Sequence, residues 1–201
     1  GEKQIRTDEE SLTHYGKDWT NGFLVAPSAV VFPESNDQVV ELVRYAIEQN
    51  VPLVPSGGRT GLSGGAIAGQ GEVVVSFERM NKILDFNVED RLVTCQAGVI
   101  TQTLQEFAVA QDLFYPVDFA SAGSSQIGGN VSTNAGGIKV IRYGLTRDWV
   151  AGMRVVTGRG ELLDCNSGLV KNATGYDLRH LMIGAEGTLG LVCEVDVRLA
   201  A

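Results

Sequence analysis

Three glycine-rich stretches hold the residues best suited to chemistry. The first reads Pro55-Ser-Gly-Gly-Arg-Thr-Gly-Leu-Ser-Gly-Gly65, five glycines in eleven residues. Glycine lets a backbone turn sharply or approach a ligand closely. Consecutive N–H groups of such a stretch can point at one centre, and a nest of that kind binds anionic oxygens without a cation. The stretch is not a P-loop, because Gly61 is not followed by Lys and Ser/Thr. It also lacks the G-x-G-x-x-G spacing of a Rossmann turn. The plain alternative is a flexible surface loop.

The second stretch runs from Asp118 to Gly137, where Ser, Thr and Asn alternate with Gly and three apolar side chains larger than Ala interrupt them. That composition suits a buried polar ligand held by many short hydrogen bonds. As a linker it would be long and oddly poor in charge. The third stretch, Gly184-Ala-Glu-Gly-Thr-Leu-Gly190, spaces its glycines three apart, and alone it could be a helix C-cap and turn. An elongated polyphosphate ligand touched at several points explains all three together. Backbone approach to that ligand is expected at Gly58 and Gly129, whereas Gly158 is read as part of a remote hairpin turn.

Composition narrows the classes. Of 201 residues 44% are hydrophobic, so the chain is no disordered tail. The 25 glycines show no triplet period, which excludes a collagen-like repeat. Asp and Glu outnumber Lys and Arg by 24 to 16, for a net charge of −8. Nucleic acid is therefore not an expected partner, since phosphate backbones need basic patches. No apolar run nears the ~20 residues that span a bilayer, and the charged first twenty residues show no signal peptide. Cys95, Cys165 and Cys193 lie far apart without C-x-x-C spacing. They read as reduced, buried thiols rather than metal ligands, and no metal is expected. The location implied is cytoplasmic, or peripheral on the cytoplasmic face of a membrane.

The elements that must position the loops follow from periodicity. Residues 1–23 read as a polar N-terminal arm or helix, and Val30-Val31-Phe32 as a short strand. Ser35 or Asn36 can cap a helix whose stripe is Val39, Val40, Leu42, Val43, Ala46 and Ile47, with Asn50 closing it. A strand at 51–55 completes a β-α-β unit with parallel strands. Residues 73–77, 83–88 and 92–97 read as three successive strands, 101–111 as a helix, 150–156 and 161–165 as a hairpin, 176–183 as a short helix and 191–199 as a final strand. The fold class is α+β. A composition shift near residue 70 divides it into lobes at about 24–70 and 71–201, with the ligand between them.

In order and combination, the first loop, Ile127-Gly-Gly-Asn-Val-Ser-Thr-Asn-Ala-Gly-Gly137, Arg142-Tyr-Gly144, Thr174-Gly-Tyr-Asp-Leu178 and Ile183-Gly-Ala-Glu-Gly-Thr-Leu-Gly190 resemble the PCMH-type FAD-binding domain of the vanillyl-alcohol-oxidase superfamily. The likeness covers about 24–201 and is greatest to the branch of D-lactate dehydrogenases, the glycolate oxidase FAD subunit and D-2-hydroxyglutarate dehydrogenase. It implies two α+β subdomains with FAD between them. By position, Ser56, Gly57, Gly58, Arg59, Thr60, Gly61 and Leu62, preceded by Pro55, would wrap the pyrophosphate. Asp118, Gly123, Ser124, Ser125 and Gln126 would share that channel. Gly128, Gly129, Asn130, Thr133, Asn134 and Gly136 would line the flavin. Gly184, Glu186, Gly187, Gly190 and Val192 would reach the adenosine half or the flavin edge.

Some relatives attach flavin through a His in the first loop, but here Arg59 occupies that stretch, so non-covalent FAD is implied. The resemblance also implies hydride transfer from a D-2-hydroxy acid to flavin N5. A substrate-binding cap domain beyond residue 201 would carry the catalytic base, so no catalytic residue is assigned within this chain and the fragment is expected to be inactive alone. His14 falls in the polar arm. His180 is read as packing a short helix, and Lys171, Asn172 and Tyr176 as a surface turn. Arg142 and Arg147 remain candidates for a substrate carboxylate. An electron acceptor or iron–sulfur protein is a further expected partner. The alternatives are a stand-alone FAD-binding or electron-transfer subunit, and a nucleotide-binding module without flavin.

Overall fold

The computed structural model describes residues 4–166, 169 and 171–201. The N-terminal stretch is not a free arm. Its strand β1 (Ile5–Arg6) pairs antiparallel with β2 (Ala29–Val31). Helix α1 (Glu9–Tyr15) is capped by Asp8, whose side chain accepts from the Ser11 N–H at 2.9 Å. Its Leu12 and Tyr15 pack on the cluster of Val30, Phe32, Ala68 and Val74.

Helix α2 (Asn36–Gln49) begins at Ser35, whose Oγ accepts from the Gln38 N–H, and ends at Asn50 in the left-handed region at φ 52°. Val39, Val43 and Ala46 are its buried residues, one above another on a single face. Ile47, placed on the same stripe by its period, is 54% exposed. Eight residues beyond Val39, it is rotated by ~80° from it.

Strands β3 (Leu53–Ser56) and β4 (Val73–Ser76) complete a first sheet of order β1-β2-β4-β3, with β4 parallel to both β2 and β3. The expected parallel relation of β2 and β3 holds, and the place where the chain passes from one sheet to the other differs from the composition shift. β2 and β3 are parallel, but β4 lies between them. The two sheets therefore part between Ser76 and Ile83 rather than near residue 70. Short apolar strands of a parallel sheet look alike in composition, so hydrophobicity alone does not order them. Successive β4 side chains point to opposite faces: Val74 joins the cluster under α1, and Val75 joins the main core.

The second sheet is antiparallel throughout. It comprises β5 (Ile83–Asn87), β6 (Leu92–Gln96), β7 (Val150–Thr157), β8 (Leu162–Cys165) and β9 (Gly190–Arg198), in the order β5-β6-β9-β7-β8. The last strand is thus the central one. In the β7–β8 turn the left-handed residue is Gly160, at φ 70°, and not Gly158. Arg44 of α2 donates to the Gly160 carbonyl at 3.1 Å and ties this turn to the helix.

Short helices fill the connections: α3 (Thr101–Val109), α4 (Ile127–Thr133), α5 (Val140–Tyr143), α6 (Thr146–Trp149) and α7 (Arg179–Met182). The main core joins Val39 and Val43 of α2 and Val75 of β4 to the second sheet, Leu104 of α3, and Ile127 and Val131 of α4. The three cysteines are free and buried. Burial pushes the Cys95 and Cys193 thiols up to about 12, so they are inert packing groups. No helix among the described residues is long and apolar enough to cross a membrane.

Candidate functional site

The carboxyl ends of β3 and β4 open onto a cavity of about 360 Å³, the edge at which parallel strands commonly receive ligands. Pro55, Gly57, Gly58, Arg59, Thr60, Gly61 and Leu62 line one wall. The backbone N–H groups of residues 58–62 donate to no protein group among the described residues, which leaves them available to an anion. Arg59 sits at φ 57°, a conformation that residues with side chains seldom adopt. The reason for Gly58 lies in packing between loops. A Cβ there would lie 2.1 Å from the Ser124 carbonyl oxygen and 2.7 Å from Ser125 Cα.

The opposite wall is α4, which the loop-like composition of residues 118–137 conceals. Gly, Asn, Ser and Thr are weak helix formers, and the helix is held by packing. Ile127 and Val131, one turn apart, are both fully buried. Gly128 sits so close to Ala97 that a Cβ would lie 2.6 Å from the Ala97 Cβ, and its N–H donates to the Ala97 carbonyl at 2.8 Å. Gly129, the next residue, lines the cavity, and a Cβ there would meet nothing within 4 Å. Asn130 Nδ2 donates to Thr101 Oγ1 at 2.7 Å, and that hydroxyl also bonds Ser125 Oγ at 2.8 Å. This buried polar network fixes the entry to α4.

The third loop docks on the end of α4 and satisfies its terminal carbonyls. The Gly184 N–H donates to Val131 O at 3.0 Å and the Glu186 N–H to Ser132 O at 2.8 Å. Ser125, Gln126, Gly128, Gly129, Asn130, Thr133 and Gly136 line the cavity from the second stretch. Glu186, Gly187, Gly190 and Val192 line it from the third.

Six residues expected in the site do not line this cavity, and their surroundings in the fold are as follows. Ser56 is fully buried and donates to Tyr15 O. Asp118 pairs with Lys139 at 3.0 Å. A Cβ on Gly123 would come within 3.1 Å of the Gln102 side chain. Ser124 presents its backbone to Gly58. Asn134 is the left-handed cap of α4 and accepts from the Arg147 N–H. Gly184 serves the α4 carbonyl described above.

Sequence reasoning missed Asp18, Ser63, Gly65 and Ala66 on the first wall, and Phe77, Ala97 and Leu191 at the ends of β4, β6 and β9. Phe77 and Ala97 immediately follow strands, which was the available signal. Nothing in the N-terminal stretch marked Asp18.

Among the described residues, the charged ones lining the cavity are Asp18, Arg59 and Glu186, and no His, Lys, Cys or Tyr joins them. His14 lies outside, 3.1 Å from the Arg59 guanidinium. His180 is also outside, with Nδ1 2.8 Å from Arg147. Arg142 stacks on Tyr143, Asn172 bonds Asn166, and Lys171 and Tyr176 are exposed. Asp177 is held below its ordinary range by hydrogen bonds from the Arg179 side chain, with which it is ion-paired. Among the described residues no cluster of His, Cys, Asp or Glu could hold a metal ion.

Residues 27–166, more than half of the chain, match the family described as FAD binding domain. This chain belongs to that family. It is 66% identical to the D-2-hydroxyglutarate dehydrogenase of Stutzerimonas stutzeri over 98% of its own length and 42% of that protein's. It is 40% identical to the mitochondrial D-2-hydroxyglutarate dehydrogenase of Arabidopsis thaliana, over 98% of this chain and 35% of that one. The chain thus spans well under half the length of these curated relatives. An alkyldihydroxyacetonephosphate synthase structure superposes with a TM-score of 0.87 at 25% identity, over 99% of this chain and 38% of that one. A 6-hydroxy-D-nicotine oxidase from Arthrobacter nicotinovorans shares the fold, with a TM-score of 0.81 at 24% identity over 98% of this chain and 42% of that one.

The cavity suits the family's dinucleotide. Gln126 Oε1 is buried on its wall with no partner among the described residues, an omission that is costly unless a ligand donor reaches it. The first glycine loop lines one part of the cavity, and Phe77, Phe119, Leu191 and Val192 give it apolar surface.

Proposed function

We propose that this chain holds FAD non-covalently and forms the FAD-binding part of a D-2-hydroxy acid dehydrogenase, with D-2-hydroxyglutarate as the first substrate to test. The observation that carries the reading is the cavity lining itself: five successive N–H groups, of residues 58–62, that donate to no described residue, in a cavity also lined by an α4 glycine with open space over it. The 66% identity to a D-2-hydroxyglutarate dehydrogenase supports the substrate. The loop of residues 57–62 would cradle the pyrophosphate, and Gly129 with Val192 would border the flavin. FAD, when bound, supplies the hydride acceptor. This chain's residues supply position, hydrogen bonds and exclusion of water.

The base that takes the hydroxyl proton, and the groups that hold the substrate carboxylates, belong in this reading to a cap domain. The 42% coverage of the relative leaves room for one. An electron acceptor completes the cycle as a partner. The three buried free thiols suit a reducing compartment such as the cytoplasm.

Attachment is tested by acid precipitation of the purified yellow protein. All of the flavin is expected in the supernatant, where chromatography identifies it as FAD, because no cavity-lining residue is a His or Cys able to form the link. Colour retained in the washed pellet would overturn non-covalent binding, and a different released nucleotide would overturn the cofactor.

A further inference from the structure

The segment from His14 to Thr20 precedes the family match, which begins at residue 27, yet it holds the first glycine loop at Ser56, Arg59, Gly61 and Gly64. Ser56 Oγ donates to Tyr15 O at 3.3 Å. The Arg59 guanidinium lies 4.7 Å above the Tyr15 ring and 3.1 Å from His14 Nε2. The Trp19 N–H donates to Gly61 O at 3.0 Å. Beyond Gly61, the Gly64 N–H donates to Asp18 Oδ2 at 3.0 Å.

Asp18 is the most constrained of these contacts. It is 8% exposed and lies on the cavity wall. Its Oδ1 accepts from both the N–H and the hydroxyl of Thr20, at 2.8 and 2.5 Å. A carboxylate here cannot itself attract a pyrophosphate, because like charges repel. Its three hydrogen bonds are all directed at its own chain, and one of them holds the far end of the glycine loop. Ordering such a loop is costly, since glycine loses more conformational freedom than any other residue. Bonds to a charged acceptor are among the stronger means of offsetting that cost.

We infer that Asp18 is a positioning residue for the FAD pyrophosphate: it pins Gly64, so that the N–H groups of residues 58–62 are presented to the cavity together. This rests on the FAD reading above. Asp18 touches no part of the cofactor in this role and acts through Gly64.

The test uses Asp18→Ala and Asp18→Asn in the full chain, the second keeping the side-chain volume should the first not fold. Amide exchange at Gly64 is measured in the cofactor-free proteins. FAD and riboflavin, which lacks the pyrophosphate, are then titrated by flavin fluorescence. Asp18→Ala is expected to exchange Gly64 faster and to bind FAD more than about tenfold more weakly, with riboflavin affinity unchanged. Asp18→Asn, which keeps one acceptor oxygen, is expected to fall between. FAD affinity equal to that of the unaltered chain would overturn the proposal. So would equal losses for FAD and riboflavin, which would mark a general structural role. If the unaltered chain itself ignores FAD while Gly64 exchange still accelerates in Asp18→Ala, the loop tie stands and the cofactor reading falls.

Discussion

Gly129→Val is expected to yield a folded chain that no longer retains FAD. The position is helical, and a Cβ there would meet nothing within 4 Å, so the side chain starts in open space. Valine is also a better helix former than glycine. The added isopropyl group projects into the cavity that the ligand needs, and affinity should fall by about two orders of magnitude or more. Gly128→Val provides the contrast, because its Cβ would lie 2.6 Å from the Ala97 Cβ. It should lose stability and flavin together, by the overpacking that costs roughly 1–3 kcal/mol. Thermal melting and flavin absorbance on both variants separate the two effects. A stable Gly129→Val protein with normal flavin content would remove α4 from the site.

The 201-residue chain loaded with FAD is expected not to oxidise D-2-hydroxyglutarate, D-lactate or glycolate. The cavity's ionisable residues are committed or poorly matched to the task. Asp18 is satisfied by Gly64 and Thr20. Arg59 is held by Gly57, His14 and Tyr15. Glu186 is exposed beside Gly65. General base catalysis typically contributes ~10²–10⁴-fold, and orienting the substrate contributes at least as much, so losing both removes nearly all of the rate. Anaerobic mixing with each acid, followed at the flavin absorbance band, reads this out. Stoichiometric bleaching would place the reductive half-reaction within these residues, and Glu186 and His180 would be the first to replace.

The first lobe's helix was legible because its signals are local. Ser35 caps it, Asn50 ends it, and Val39, Val43 and Ala46 repeat at the helical period. The three loops were legible as a group because glycine and small polar residues recur in them, and all three line one cavity. What escaped depends on contacts distant in sequence. The position of β4 between β2 and β3 is a choice among similar apolar strands, made by pairing rather than composition. Helix α4 overrides its own weak propensity because Ile127 and Val131 are driven into the core. Gly58 is small for the sake of the Ser124 backbone, sixty-six residues away in the chain. Asp18 acquires its place only when the N-terminal segment folds against the loop.

In the function proposed here, one FAD occupies the cavity lined by the first glycine loop and α4. Backbone amide shifts of the isotopically labelled, cofactor-free protein, followed as FAD is added, test it most directly. Saturation at one FAD per chain is predicted, with the largest shifts at the N–H groups of residues 58–62 and at Gly129. Shifts centred elsewhere, or a spectrum that FAD leaves unchanged, would contradict the account.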